Sequence, residues 1–296
     1  MSAADLAVAS RYTDGAPWQA QHADGLTVRG RQFETGVVQA HFMSGNGFCG
    51  GVYWPFLQRL LAQLSIWTHD QPGQGDSDNP PAFSGADDWT ARQCAVLDAA
   101  PQRRRIAIGH SFGAIMSLRL ALARPQAFEA LVLLDPVAFP PAMLAGIRLM
   151  HLTGTHPFAR AARRRRNHWA SRAEARAYLE GRGIYRGWRD EALEAFVEHA
   201  MTETVDGWRL RCPPVLEAEI YGRSAGGYRK ALRQLKLPIL FLYGADSYPF
   251  MPVAARHAAR CGHATQVLPG GHCFMQENPE AAADAVGDFL APILSS

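Results

Sequence analysis

The stretch Gly109-His110-Ser111-Phe112-Gly113 stands between strand-like residues 105–108 and an apolar, helix-like stretch at residues 114–123. In this context the G-x-S-x-G pattern predicts a tight strand-to-helix turn that holds the serine in strained backbone geometry, with its hydroxyl above the sheet. Glycines fit on either side because a side chain there would collide as the helix and the strand approach each other. A chain with 27 glycines can match the pattern by chance, so the prediction depends on the flanking elements.

A reactive serine needs a histidine base and a carboxylate that orients the base, and both are found downstream. Residues 237–244 form a wholly apolar run, typical of a parallel strand covered on both faces, and Asp246 follows it. A second predicted strand, residues 265–268, leads into a glycine-containing loop that ends at His272. The predicted catalytic residues are therefore Ser111, Asp246 and His272, in that order along the chain.

Other residues compete for the three predicted catalytic roles. Asp135 ends the predicted strand at residues 130–134 and is a rival acid, but Pro136 follows it, which favours a strand terminator, so Asp246 is preferred. His110 is expected to pack against the turn rather than react. Cys273 is discounted as a nucleophile, since the turn already supplies a serine and buried cysteine usually behaves as a small apolar side chain.

These motifs and their order resemble the α/β-hydrolase superfamily over nearly the whole chain. Residues 70–77, DQPGQGDS, look like the D-x-x-G-x-G-x-S turn that this superfamily carries after an early strand, here predicted at residues 65–69. The resemblance implies an α/β fold with a mostly parallel central sheet flanked by helices, and a helical lid inserted after the sixth strand. We expect residues 1–139 and 226–296 to form the core and residues 140–225 to form the lid.

The resemblance also implies an oxyanion hole, the pair of N–H groups that binds the negatively charged oxygen of the reaction intermediate. By motif position the donors would be the backbone N–H groups of Phe112, which follows the serine, and of Phe48, in the loop at residues 43–51. In the family this loop usually carries a His-Gly pair, and here Asn46 replaces the histidine. Losing one such donor typically costs about 10² to 10³ in turnover.

The same loop also satisfies a dinucleotide-binding pattern, with glycines at 45, 47 and 50 after a strand and Asp70 twenty residues beyond. In that fold a helix begins within the glycine motif, whereas Gly51 and Pro55 delay the predicted helix here to about Trp54. An NAD-binding dehydrogenase would also leave Ser111 and His272 unexplained, and is disfavoured.

The length and composition of the chain predict a single large hydrophobic core, as in a one-domain enzyme. The chain has 296 residues, 48% of them hydrophobic, and no run of 18 apolar residues that predicts a membrane span. Residues 1–21 lack the apolar segment of a secretory signal, and the five cysteines show neither metal-ligand spacing nor a disulfide pattern. We therefore expect a cytoplasmic protein with no metal, cofactor or membrane partner; the sequence does not decide its oligomeric state.

The predicted lid carries the positive charge of the chain. It holds 14 arginines against 10 aspartates and glutamates, a net +4 in a chain whose total is +3. The run Arg163–Arg166 invites a nucleic-acid interpretation, but a solvated helix face explains it better in a chain this close to neutral. A milder hypothesis is that the lid arginines attract an anionic substrate.

The sequence thus predicts a serine hydrolase that cleaves an ester-like bond of a small, moderately apolar substrate through an acyl-enzyme, with a carboxylesterase as the first expectation. Lactonase, thioesterase, perhydrolase and carbon–carbon bond hydrolase activities stay open, because a fold does not fix a substrate. An alternative outside the hydrolases is a non-catalytic or slow-turnover ligand receptor on the same fold.

Overall fold

The computed structural model describes residues 11–223 and 227–295, and its central feature is an eight-stranded sheet. In the sheet the order is β1-β2-β4-β3-β5-β6-β9-β10, and every neighbouring pair is parallel except those that involve β2. The strands are β1 (Ala16–Gln21), β2 (Thr27–Phe33), β3 (Gln39–Met43), β4 (Ser65–His69), β5 (Arg105–His110), β6 (Ala130–Leu134), β7 (Met201–Thr204), β8 (Gly207–Leu210), β9 (Ile239–Gly244) and β10 (Ala264–Leu268). Strands β7 and β8 form a separate hairpin.

Helices cover both faces of the sheet. They are α1 (Trp54–Leu60), α2 (Ala86–Ala99), α3 (Phe112–Ala123), α4 (Pro141–Leu152), α5 (Pro157–Arg164), α6 (Arg172–Leu179), α7 (Asp190–His199), α8 (Pro214–Arg223), α9 (Tyr228–Gln234), α10 (Met251–Arg260), α11 (Phe274–Glu277) and α12 (Pro279–Leu294). One apolar cluster joins the sheet to α1, α7 and α12, and a second joins its other face to α2, α3, α9 and α10. Because both faces are covered, the central strands β3, β5 and β6 are buried at every position.

The segment between β6 and β9 leaves the sheet. It contains helices α4 to α8 and the β7–β8 hairpin, and we call residues 140–223 the inserted segment. Helices α5 and α6 are separate because Trp169, between them, pairs with Trp208 of the hairpin as an isolated bridge. Helix α7 packs on the turn before α1, which joins the inserted segment to the core.

The predicted fold class is confirmed, and the insertion does follow the sixth strand. Strands β4 and β6 have the predicted bounds, and α1 begins at Trp54 as expected. Asp70 does not face a nucleotide site: its carboxylate accepts the N–H of Gly50 at 2.8 Å. That internal role removes the geometric basis of the dinucleotide-binding alternative.

Two sequence expectations reach beyond the described residues. The N-terminal segment judged to lack a secretory signal includes residues 1–10, and the expected lid boundary at residue 225 falls in residues 224–226; both stretches lie outside the described part of the chain. Within the described part, no helix combines the length and the apolar character that crossing a membrane requires.

Candidate active site

Ser111 occupies the turn between β5 and α3 in a strained backbone conformation. Its φ is +54° and its ψ is −115°, values that a non-glycine residue adopts only when its surroundings enforce them. A Cβ on Gly109 would lie 2.5 Å from the carbonyl oxygen of Gly113, and one on Gly113 would lie 2.2 Å from that of Met43. The two glycines therefore let strand and helix close on each other and fix the serine at the end of the sheet.

His272 reaches Ser111 from the loop after β10. Its Nε2 lies 3.0 Å from the Ser111 Oγ, within the range expected for a base and the hydroxyl it deprotonates. The Nδ1 lies 2.7 Å from Oδ1 of Asp135. A carboxylate only accepts, so in the neutral ring the proton is on Nδ1 and the lone pair of Nε2 faces the serine hydroxyl. The structure therefore brings Ser111 and His272 together as predicted from the sequence.

The acid on His272 is Asp135, not Asp246, and the predicted Asp246–His272 contact is corrected accordingly. Asp135 is fully buried and has a positive φ of +42°, which turns its side chain back toward the His272 loop. Its Oδ2 accepts the backbone N–H of Gly244 at 2.9 Å, and its Oδ1 accepts the hydroxyl of Ser247 at 2.6 Å. Three donors thus hold the carboxylate in place, which compensates for its removal from water.

Asp246 has a different position. It is exposed, its backbone N–H donates to the carbonyl of Gly270 at 2.9 Å, and its side chain lines a large cavity. Both aspartates follow an apolar parallel strand and precede His272, so chain order cannot choose between them. The features that distinguish the two aspartates belong to the fold: Asp135 follows β6, the strand next to β5, and Ser247, beyond β9, donates to it.

Of the two predicted oxyanion donors, Phe112 keeps a suitable position and Phe48 does not. Phe112 is the first residue of α3, and its N–H has no partner among residues 11–223 and 227–295. The N–H of Phe48 instead donates to the carbonyl of Gly45 at 3.2 Å, closing a turn. The Phe48 ring packs against Trp188 and Phe196 of the inserted segment.

Asn46, which the sequence analysis noted only as a departure from the family pattern, lines a small cavity together with Ser111 and Phe112. Hydrogen bonding within the described chain leaves its backbone N–H unpaired. Its side-chain Nδ2 donates to the main-chain carbonyl of Glu217 on α8 at 2.9 Å. The positive φ of Gly47, +82°, lets the loop turn sharply after Asn46. The motif position that pointed to Phe48 gave no signal for this two-residue shift.

Two cavities meet beside His272, and the smaller one reaches Ser111. The small one, about 20 Å³, is mostly apolar, and the larger one, about 910 Å³, lies under the inserted segment. Both are lined by Asn46, Phe158, Tyr221, Tyr248 and His272. A molecule that presents a carbonyl to Ser111 would therefore have little room on one side and a large chamber on the other.

The larger cavity is lined by several arginines of the inserted segment. Arg165 is neutralised, since it donates to Glu217 at 2.6 Å and to the Tyr185 hydroxyl at 2.7 Å. Arg166 pairs with Glu174. Three further lining arginines have no carboxylate partner in the described part of the chain: Arg164, Arg182 and Arg186.

The thiol of Cys273 and the arrangement of histidine, cysteine and acidic side chains complete the description of the site. Cys273 is buried, and burial raises the pKa of its thiol, which disfavours the reactive thiolate. No cluster of three histidine, cysteine or acidic side chains with metal-binding geometry occurs among the described residues.

Comparisons with known proteins identify the family of the chain. The profile of the alpha/beta hydrolase family matches residues 41–285. Among curated proteins, "Putative carbamate hydrolase RutD" of Klebsiella pneumoniae is 38% identical over 89 residues, which are 29% of this chain and 33% of that protein. Lipase LipV of Mycobacterium tuberculosis is 35% identical over 91 residues, 29% of this chain and 33% of that one. The matches thus cover about a third of these relatives.

Solved structures share the fold over almost the whole chain. The crystal structure of E-2-(acetamidomethylene)succinate hydrolase has a TM-score of 0.78 at 21% identity and covers 94% of this chain and 99% of its own. N-formylmaleamic acid deformylase from Pseudomonas putida S16 has a TM-score of 0.65 at 20% identity, with 92% and 100% covered. From its fold, the geometry around Ser111 and the extent of the family match, this chain belongs to the alpha/beta hydrolase family.

Proposed function

We propose that the protein is a serine hydrolase that cleaves an ester-like acyl bond through a covalent acyl-enzyme. The observation that carries the proposal is the continuous hydrogen-bond chain from the Ser111 hydroxyl through His272 to Asp135. In the proposed mechanism Ser111 attacks the substrate carbonyl, and His272 takes its proton and returns it to the leaving group. Asp135 holds the required tautomer and stabilises the imidazolium that forms, and water then repeats the cycle.

The developing oxyanion would be held by the backbone N–H groups of Phe112 and Asn46. Three observations support this pair: both residues line the small cavity at Ser111, both N–H groups are unpaired in the described chain, and Phe112 begins a twelve-residue helix. The helix N-terminus adds a partial positive charge where the negative charge develops. Phe48, which was expected to donate, contributes its ring to the packing behind the loop instead.

The two cavities suggest which parts of a substrate lie where. The small apolar cavity at Ser111 suits a short acyl group, and the larger cavity suits the remainder of a moderately apolar molecule. The names of the relatives, a carbamate hydrolase and a deformylase among them, support extending the proposal from esters to carbamate-type and amide-type bonds. The same acyl-enzyme chemistry cleaves all of these.

Arg164, Arg182 and Arg186 support an anionic group in the larger part of the substrate. Their positive charge at the cavity wall would attract a carboxylate, and salt would weaken that attraction. We therefore expect the KM of a carboxylate-bearing ester to rise with ionic strength while the KM of its neutral methyl ester stays constant. Equal salt responses for the two compounds would contradict the anionic preference and leave the hydrolase proposal unaffected.

The test of the hydrolase proposal uses p-nitrophenyl esters of increasing acyl length with the wild-type protein and with Ser111→Ala. We expect release from short acyl chains to exceed release from long ones, and to fall by about 10³ or more in the variant. A fluorophosphonate should add its mass to one peptide, the one that contains Ser111. Ligand binding without turnover or labelling would reject the hydrolase and support the receptor alternative.

A further inference from the structure

His110, next to the proposed nucleophile, is a fully buried side chain that the mechanism does not use. Its Nδ1 lies 2.6 Å from the hydroxyl of Tyr53, and its Nε2 lies 2.9 Å from the main-chain carbonyl of His272. The same Tyr53 hydroxyl accepts the backbone N–H of Gly45 at 3.1 Å. Gly45 precedes Asn46, so these contacts connect the proposed oxyanion loop, the serine turn and the His272 loop.

Only one arrangement of protons satisfies these contacts when His110 is neutral. A carbonyl only accepts, so Nε2 of His110 must carry the proton that it donates to His272. Nδ1 is then an acceptor, and the Tyr53 hydroxyl must donate to it. The Tyr53 oxygen is left to accept from Gly45, as observed. The hydrogen bonds therefore run in one direction, from Gly45 through Tyr53 and His110 to His272.

Burial keeps both side chains in the neutral forms that this arrangement needs. Burial, and then the neighbouring His272, lower the pKa of His110. Burial also raises the pKa of Tyr53. A neutral His110 matters because its ring centroid lies 4.7 Å from that of His272, where a positive charge would oppose protonation of the base.

This series of hydrogen bonds leaves little freedom for the two loops that it joins. A Cβ on Gly45 would lie 2.8 Å from Nδ1 of His110, so the oxyanion loop rests directly on the imidazole. Catalytic groups that miss their productive positions by about 1 Å can lose on the order of 10² in rate. A link between the loop that carries the base and the loop that carries an oxyanion donor would set the distance that matters for attack.

We propose that Tyr53 and His110 are positioning residues that hold the oxyanion loop and the His272 loop at a fixed separation around Ser111, through the one-directional chain Gly45–Tyr53–His110–His272. This inference rests on the proposed serine-hydrolase function. It adds to that function two residues that touch neither the substrate nor the reacting atoms.

The test is Tyr53→Phe, which keeps the ring and removes the hydroxyl that joins Gly45 to His110. We expect kcat to fall about 10-fold to 100-fold with KM within about two-fold, because the variant alters the reacting geometry and not substrate binding. The matched control is Tyr228→Phe, a buried tyrosine of α9 in the apolar cluster on the opposite face of the sheet, which should keep wild-type kcat.

A second pair of variants separates positioning from folding. His110→Gln can accept from Tyr53 and donate to His272, and should keep more activity than His110→Leu, which can do neither. Labelling by the fluorophosphonate distinguishes two causes of lost activity. If all protein molecules are labelled but more slowly, the catalytic groups are misplaced. If fewer molecules are labelled at the normal rate, part of the protein is misfolded. Wild-type kcat in Tyr53→Phe, or misfolding alone in every variant, would overturn the proposal.

A spectroscopic measurement gives an answer even if the wild-type protein shows no hydrolysis. In protein labelled with ¹⁵N-histidine, His110 should be neutral at pH 7 with its proton on Nε2, and Tyr53→Phe should broaden or shift its nitrogen signals. A proton on Nδ1 in the wild-type protein would contradict the hydrogen-bond direction. An absence of turnover and labelling in the wild-type protein would reject the hydrolase proposal instead.

Discussion

The ends of strands β6 and β9 carry two aspartates that look equivalent in sequence and differ in the folded protein. Asp135 is fully buried, has a positive φ and receives hydrogen bonds from His272, Ser247 and Gly244. Asp246 is exposed on the wall of the large cavity. Acidic residues can follow several strands of one sheet. The hydrogen-bond donors that converge on Asp135 distinguish it as the aspartate that can orient a base.

The sharpest test of this comparison is Asp135→Asn. The amide can present an N–H to His272 and so favour the wrong tautomer, and we expect kcat to fall by about 10³ to 10⁴. Steady-state kinetics on the best p-nitrophenyl ester measures the effect, with circular dichroism as the control for folding. Retention of more than a tenth of the wild-type kcat would show that Asp135 does not serve His272 in catalysis.

A third strand-end aspartate, Asp70 after β4, extends the comparison to stability. Burial raises its pKa to about 7, so between pH 4 and 7 the folded state keeps a proton that the unfolded state releases. Stability should therefore fall over this window as pH rises. Relative to Asp70→Asn, the wild-type protein should lose on the order of 1–4 kcal/mol of unfolding free energy from pH 4 to 8. Urea titrations of both proteins at four pH values measure the difference, and parallel pH curves would contradict it.

Ser247→Ala removes one of the three donors to Asp135 and leaves the rest of the site intact. A hydrogen bond to a charged group is worth about 1.5 kcal/mol or more, so we expect kcat to fall about 10-fold. Ser247→Thr keeps a hydroxyl and is the matched variant, expected to recover part of the loss. An unchanged kcat in the alanine variant would show that Gly244 and His272 hold the carboxylate without help.

Asp246→Asn should have the smallest effect. Its carboxylate is exposed and has no contact with His272, so with a neutral substrate we expect kcat/KM to stay within about two-fold of the wild-type value. The measurement is the same ester assay, run beside Asp135→Asn. A loss approaching that of Asp135→Asn would restore the acid that the sequence favoured and reject the assignment drawn from the structure.

The sequence was informative where one residue or a local pattern decides the outcome. Strands β4 and β6 were predicted with their observed bounds, and the serine turn with the last loop located Ser111 and His272. Strands β1 and β2 were missed; exposed and partly buried residues alternate along β1 without a clear apolar face. A sheet-edge strand of this kind has no strong pattern in the sequence.

The remaining errors depend on a contact between distant residues and on a local backbone turn. The choice of Asp135 over Asp246 depends on Ser247 and Gly244, more than a hundred positions downstream. The shift of the expected oxyanion donor from Phe48 to Asn46 depends on a turn closed by the Gly45 carbonyl. The backbone angle of Asp135 and the turn closed by the Gly45 carbonyl do not require a particular residue type. Patterns in a single sequence therefore could not reveal them.

Glu217 makes two chemically independent contacts, one to the loop beside the proposed nucleophile and one within the inserted segment. Its main-chain carbonyl accepts from Asn46, while its carboxylate pairs with Arg165. The first contact survives any substitution at this position that leaves α8 intact, since every amino acid has that carbonyl. Residue 217 can therefore be exchanged to retune the charge of the chamber without releasing the loop beside the nucleophile, which makes it a natural starting point for redesigning what the enzyme accepts.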